Sequence, residues 1–177
     1  MKRYLVLILA MVFALAGVMA GCALTPELAT YSNYGFSFQY PENYTVVERD
    51  ANESSGTIRV GVENDKADFF NVWYVKTGPQ WNIEGALEHR FSSMEEVEWV
   101  ESLYRGELVE TTKAGHRMVY QYYTVTHPAG KDYGVVGAFY CDKSGKGFEL
   151  TTLTNTVNSE EEALEHFQRY IDSFVCH

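Results

Sequence analysis

The spacing of apolar residues along this chain switches between two and three-to-four, and each switch marks an element. Phe36, Phe38 and Tyr40 alternate with small or polar neighbours and stop at Pro41, which predicts a half-buried strand. After the Pro41-Glu42-Asn43 turn, Tyr44 to Glu48 extends as a second strand, and Asp50 to Gly56 is a polar loop. Thr57 to Val62 and Phe69 to Lys76 are β-rich runs on either side of the acidic connector Glu63-Asn64-Asp65-Lys66-Ala67-Asp68, the pattern of a hairpin. Beyond Gly78-Pro79 the period lengthens. Ile83, Leu87, Phe91 and Met94 recur at helical spacing behind Asn82, a capping residue, and predict a helix over Ile83 to Glu95.

Period two then returns. Tyr104 to Glu110 and Arg117 to His127 read as strands. The Pro128-Ala129-Gly130 turn leads into Tyr133 to Cys141, and a glycine-containing turn from Asp142 to Gly147 leads into Phe148 to Thr154, which completes an antiparallel meander. Ser159 and Glu162 form a capping box, Glu160, Glu161 and Glu162 suit the positive end of a helix, and Leu164, Phe167, Ile171 and Phe174 make its inward stripe. Ala23 to Asn33 contains Pro26 and carries neither period, so it reads as a tether. The order β-rich, helix, β-rich, helix defines an α+β class, with a central antiparallel sheet of about six to eight strands flanked by helices.

The N-terminus sets the location. Lys2 and Arg3 precede the uncharged apolar run Tyr4 to Ala20, which closes on Met19-Ala20-Gly21-Cys22. A basic start, a short apolar region and small residues before a cysteine make a lipoprotein export signal. Met19 stands where leucine is more usual. An uncleaved anchor is the alternative, because about 17 apolar residues just span a bilayer. The organisation expected is therefore a signal peptide over 1–21, a lipidated Cys22 and tether over 22–33, and a single domain over 34–177.

Charge narrows the partners. The chain of 177 residues carries a net charge of −10, and loss of Lys2 and Arg3 with the signal would make it more acidic still. Such a surface disfavours nucleic acid, whose affinity comes from Lys and Arg on phosphates, and disfavours electrostatic docking on anionic lipid. Attachment to the bilayer would rest on acyl chains at Cys22. With Cys22 so used, Cys141 and Cys176 remain as one pair, a disulfide outside the cytoplasm or two reduced thiols.

Catalytic signatures are absent: there is no G-x-S-x-G, no phosphate loop around Gly145-Lys146-Gly147, no H-E-x-x-H and no cysteine pair at zinc spacing. The expectation is no enzyme and no cofactor. Oxygen ligands for a hard cation cluster at Glu63, Asn64, Asp65 and Asp68, and again at Asp50, Asn52 and Glu53, with solvated turns as the plainer reading. Tyr120, Tyr122, Tyr123 and Tyr133 crowd the meander. If one set is exposed they form an aromatic platform for a sugar or a protein, with Tyr120 and Tyr122 on one face and Tyr123 on the other. His89 and His166 are expected on exposed helix flanks.

The run Gly35-Phe36-Ser37-Phe38 with Tyr40-Pro41 and Tyr44, and the closing strand and helix ending at Ser173-Phe174, resemble the PsbP-like family over about Tyr31 to Phe174. Tyr44 departs from the tryptophan found in many relatives. The resemblance implies the Mog/PsbP-like fold, an α/β/α sandwich, in a family that spans an extrinsic photosystem II subunit, a Ran-binding factor and prokaryotic lipoproteins. The family's known members look like accessory or binding modules, and together with the lipoprotein signal and the absence of catalytic signatures the expectation is a membrane-tethered, extracytoplasmic, non-enzymatic binding or accessory module contacting another envelope protein. A domain binding a small cation or glycan is the alternative.

Overall fold

The computed structural model describes residues 27–62 and 68–177. In chain order these form strands β1 (Leu28–Asn33), β2 (Phe36–Pro41), β3 (Thr45–Arg49), β4 (Ser55–Gly61) and β5 (Phe69–Lys76), then helix α1 (Ile83–Glu95). The meander β6 (Ser102–Lys113), β7 (His116–His127), β8 (Gly130–Cys141) and β9 (Lys146–Thr154) follows, and helix α2 (Glu160–Ser173) and the short β10 (Val175–Cys176) close the chain. Seven strands make one antiparallel sheet in the order β3-β4-β5-β9-β8-β7-β6, and β1-β2-β10 make a second, three-stranded sheet.

Alternation along the central strands gives each face of the large sheet its own core. Ile58, Val60, Phe70, Val72, Tyr74, Phe148 and Leu150 point to one side, where they meet Phe36 and Phe38 of the small sheet and Phe167, Tyr170 and Ile171 of α2. This core is aromatic: Phe70 stacks on Tyr170 with centroids 4.3 Å apart, and Phe174 stacks on Phe36 at 5.6 Å. Each such ring contributes roughly 1.5–3 kcal/mol by leaving water. Val119, Tyr123, Val136, Ala138 and Leu153 point the other way, onto Ile83, Leu87 and Phe91 of α1. The result is three layers, with the large sheet in the middle.

Both helices begin as their sequences dictate. Asn82 Oδ1 accepts from the Gly85 N–H at 2.9 Å, and Ser159 Oγ accepts from the Glu162 N–H at 3.2 Å. Glu162 reaches back one residue further than a capping box requires, accepting from the Asn158 N–H at 2.7 Å. No helix among the described residues is long and apolar enough to cross a membrane.

One expectation is corrected. Leu28–Asn33, read as tether, is a strand paired residue for residue with β2, Tyr31 opposite Phe38. Only Tyr31 in it is buried, so backbone pairing and one aromatic hold it rather than an alternating apolar face. At the other end, a disulfide joins Cys141, at the end of β8, to Cys176 in β10, with Cα atoms 6.6 Å apart.

A candidate binding groove beside helix α1

Helix α1 packs on β6, β7, β8 and β9, and among the described residues the outer face of β3, β4 and β5 is left open. The two-residue alternation of these strands puts Thr45, Val47 and Arg49 on that face, with Thr57 and Arg59 from β4 and Phe69 and Asn71 from β5. Register aligns them into a row: Val47 lies opposite Arg59, Arg59 opposite Asn71, and Asn71 opposite Thr151. Arg90 and Met94 of α1, with Val97, Trp99 and Val100 beyond its end, form the wall. The groove so enclosed has a volume of about 860 Å³.

Tyr123 closes the inner end, and a glycine makes this close approach feasible. A Cβ at Gly134 would fall 2.2 Å from the Thr152 carbonyl oxygen and 2.6 Å from the Tyr123 ring. With no side chain there, the ring lies across β8 and its hydroxyl donates to Thr152 O at 2.8 Å.

The electrostatics of the groove run against those of the chain. Its lining holds Arg49, Arg59 and Arg90 and, among the described residues, no carboxylate, in a protein of net charge −10. The Arg59 guanidinium lies 4.0 Å from the centroid of the Phe69 ring, a cation–π contact that fixes it against the floor. Arg90 is ion-paired with Glu149, whose side chain is 4% exposed. Desolvation raises the Glu149 carboxyl above the ordinary glutamate range, and the adjacent Arg90 opposes that rise. At the rim, Trp99 is 43% exposed and Val47 41%. Trp99 stands edge-on to His127, with centroids 5.8 Å apart. The arrangement suits an extended anionic ligand with apolar groups. The lining offers no histidine, cysteine or carboxylate among the described residues.

Candidate residues read from the sequence fall elsewhere. Asp68 is buried, its Oδ2 accepting from the Tyr44 hydroxyl at 2.6 Å and its Oδ1 lying 3.8 Å from His166 Nε2. Standing two residues before Phe70 and just ahead of β5, it keeps the inward phase of that strand and faces Tyr44 and His166. Glu63 and Asp65 lie outside the described residues, as do Cys22 and the signal segment. His166, expected on an exposed flank, is likewise sequestered, with its side chain 12% exposed. Burial pushes its imidazole below the usual histidine range, against the pull of Asp68. Asn52 is engaged in its own turn, Oδ1 accepting from the Ser54 and Ser55 N–H groups.

The tyrosine platform is also corrected. Tyr122 and Tyr123 are buried and Tyr120 and Tyr133 pack half-buried against the α2-side core, because both faces of β7 and β8 are covered. Arg49, Arg59, Arg90 and Trp99 were not singled out by sequence. The available signal was the outward phase of Arg59 on β4, whose other phase, Ile58 and Val60, is apolar.

No family profile and no curated protein matches the sequence. Solved structures do match in fold. Cyanobacterial PsbP (CyanoP) from Synechocystis aligns with a TM-score of 0.63 at 13% identity, covering 89% of this chain and 96% of that one. The Saccharomyces cerevisiae Ran-binding protein Mog1p aligns with a TM-score of 0.51 at 8% identity, covering 86% and 96%. A chain from Bacteroides thetaiotaomicron aligns with a TM-score of 0.52 at 11% identity, covering 84% of this chain and 48% of that one.

Proposed function

We propose that this chain, which has the PsbP-like/Mog fold, is a lipid-tethered, extracytoplasmic, non-enzymatic binding module that holds an extended acidic segment of another envelope protein in the groove beside α1. The observation that carries this reading is the lining itself, in which Arg49 stands exposed on the floor beside Arg59, with Arg90 held to Glu149 behind the wall and no carboxylate among the described lining residues of an acidic chain. A negative exterior repels anions in general, while a local positive cleft concentrates the one that fits. Trp99, Met94 and Val47 supply apolar anchors beside the charges, the mixture that carries binding energy in protein interfaces. The Ran-binding description of Mog1p supports a protein as the ligand class for this fold.

Tethering follows from Cys22. Five residues lie between it and Leu28, and the six Cα-to-Cα steps from Cys22 to Leu28 reach at most about 20 Å, so the groove would work close to the bilayer. A glycan is the second reading, favoured by exposed Trp99 beside the polar floor of Thr45, Thr57 and Asn71.

Chemical crosslinking in intact cells, followed by isolation from the membrane fraction, tests the proposal. The expected result is a discrete protein adduct that is lost in Arg49→Glu, with incorporation of labelled fatty acid into the chain abolished by Cys22→Ala. Adducts unchanged by the charge reversal would remove the groove from the account. Stabilisation by neutral oligosaccharides with no protein adduct would favour the glycan.

A further inference from the structure

Away from the groove, three metal-ligating atoms converge: His116 Nε2, Cys141 Sγ and Cys176 Sγ all lie within 4.8 Å of one another. Each is positioned by backbone that does not depend on the disulfide. His116 follows a tight turn in which Ala114 and Gly115 adopt φ of 50° and 87°, and it stands two residues before Met118, which pairs with Phe139, itself two residues before Cys141. Cys176 is held by pairing with Phe36 of β2, by the His177 N–H donating to Gly35 O at 2.8 Å, and by the buried Phe174 beside it. The two ring nitrogens of His116 face different partners. Nδ1 lies 3.3 Å from Asp142 Oδ1, and Nε2 lies 3.4 Å from Cys176 Sγ. A carboxylate on Nδ1 fixes the tautomer that presents the Nε2 lone pair, the outer-shell arrangement found behind metal-bound histidines.

We infer that the reduced chain binds one thiophilic divalent cation of the zinc class through His116 Nε2 and the thiolates of Cys141 and Cys176, so that this cysteine pair alternates between disulfide and metal site. The chemistry balances with a dithiol as reductant. It gives two electrons and two protons to the Cys141–Cys176 bond, is itself oxidised to a disulfide, and leaves two thiols. Binding the cation then releases those two protons to solvent as the thiols become thiolates.

The geometry fits. Tetrahedral zinc with bonds of about 2.3 Å to sulfur and 2.0–2.1 Å to nitrogen sets sulfur and nitrogen about 3.5 Å apart, close to the 3.4 Å between Cys176 Sγ and His116 Nε2. The two Cα atoms, 6.6 Å apart, allow side-chain rotation to separate the sulfurs by the about 3.8 Å that two tetrahedral ligands require. Three protein ligands leave a fourth position for water or an exogenous ligand. Asp142, 78% exposed, lies on the solvent side and marks the route of entry. The site sits apart from the groove lining and does not rest on the proposed function.

The test uses the full chain in detergent, reduced with a phosphine, freed of reductant without air and titrated with Co²⁺ as a spectroscopic substitute for zinc. One equivalent should enter with thiolate-to-cobalt charge-transfer absorption that the oxidised chain lacks. Cys141→Ser should remove that band, Asp142→Ala should weaken binding about 10–100-fold, and His116→Ala should weaken it by at least about tenfold. Near-UV circular dichroism of the reduced, metal-free chain should show retained tertiary packing. A folded reduced chain that takes up no cobalt, or binds it equally well without His116, overturns the inference. Loss of tertiary packing on reduction overturns it too, because the ligands would no longer be held together.

Discussion

Arg90 of α1 reaches under the groove wall to Glu149 of β9, a residue 3% exposed. The pair pins the helix to the sheet beside the open floor. Removing one partner leaves the other charge buried and uncompensated, a loss of about 3 kcal/mol or more. Arg90→Ala should therefore lower stability by that order in chemical unfolding, and the double variant Arg90→Ala/Glu149→Gln should recover part of it. The pH dependence has a fixed sign. Because burial raises the Glu149 carboxyl in the folded state above its ordinary 4.5, its contribution is full below that value and is lost as pH climbs through the folded one. Glu149→Gln should gain stability relative to the parent as pH rises from 4.5 to 7.

His166 works in the opposite direction. Its folded-state value is lowered from 6.5 by burial, among Asp68, Tyr170 and Arg169. Below 6.5 the unfolded chain takes up a proton that the folded chain resists, so stability falls as pH drops through that value toward the folded one. Unfolding midpoints measured between pH 7 and 5 should fall less steeply in His166→Gln than in the parent. Equal slopes would show that the imidazole is not sequestered as described.

The disulfide spans 35 residues of sequence. In the chain-entropy treatment a loop of this size contributes about 4 kcal/mol by restricting the unfolded ensemble. Reduction should lower the thermal midpoint by roughly 10 °C while leaving β10 paired with β2. Scanning calorimetry with and without reductant measures the difference.

What the sequence disclosed depended on whether the deciding interaction was local. The Asn82 and Ser159 caps and the apolar stripes of both helices lie within a turn or two of each other, and α1 and α2 run where those signals put them. The meander was legible for the same reason, since its turns carry glycine and proline. Leu28–Asn33 was not, because its strand character comes from β2. Asp68 looked like one acid in an acidic run, and only the inward phase of β5, with Tyr44 and His166 arriving from distant segments, makes it a buried group. The groove had no local signature beyond the outward phase of Arg59 on β4. It exists because α1 covers part of the sheet, and residues such as Val47 and Arg49 otherwise read as the ordinary outer face of an edge strand.

Site-specific photocrosslinking in living cells tests the central claim most directly. A photoreactive side chain at Val47 or Trp99, both at the groove and partly exposed, should give one discrete protein adduct in the membrane fraction. The same probe at Glu161, on the outer surface of α2, should give none. Adducts from Glu161 with none from the groove positions would contradict the assignment of the β3–β5 face as the binding surface.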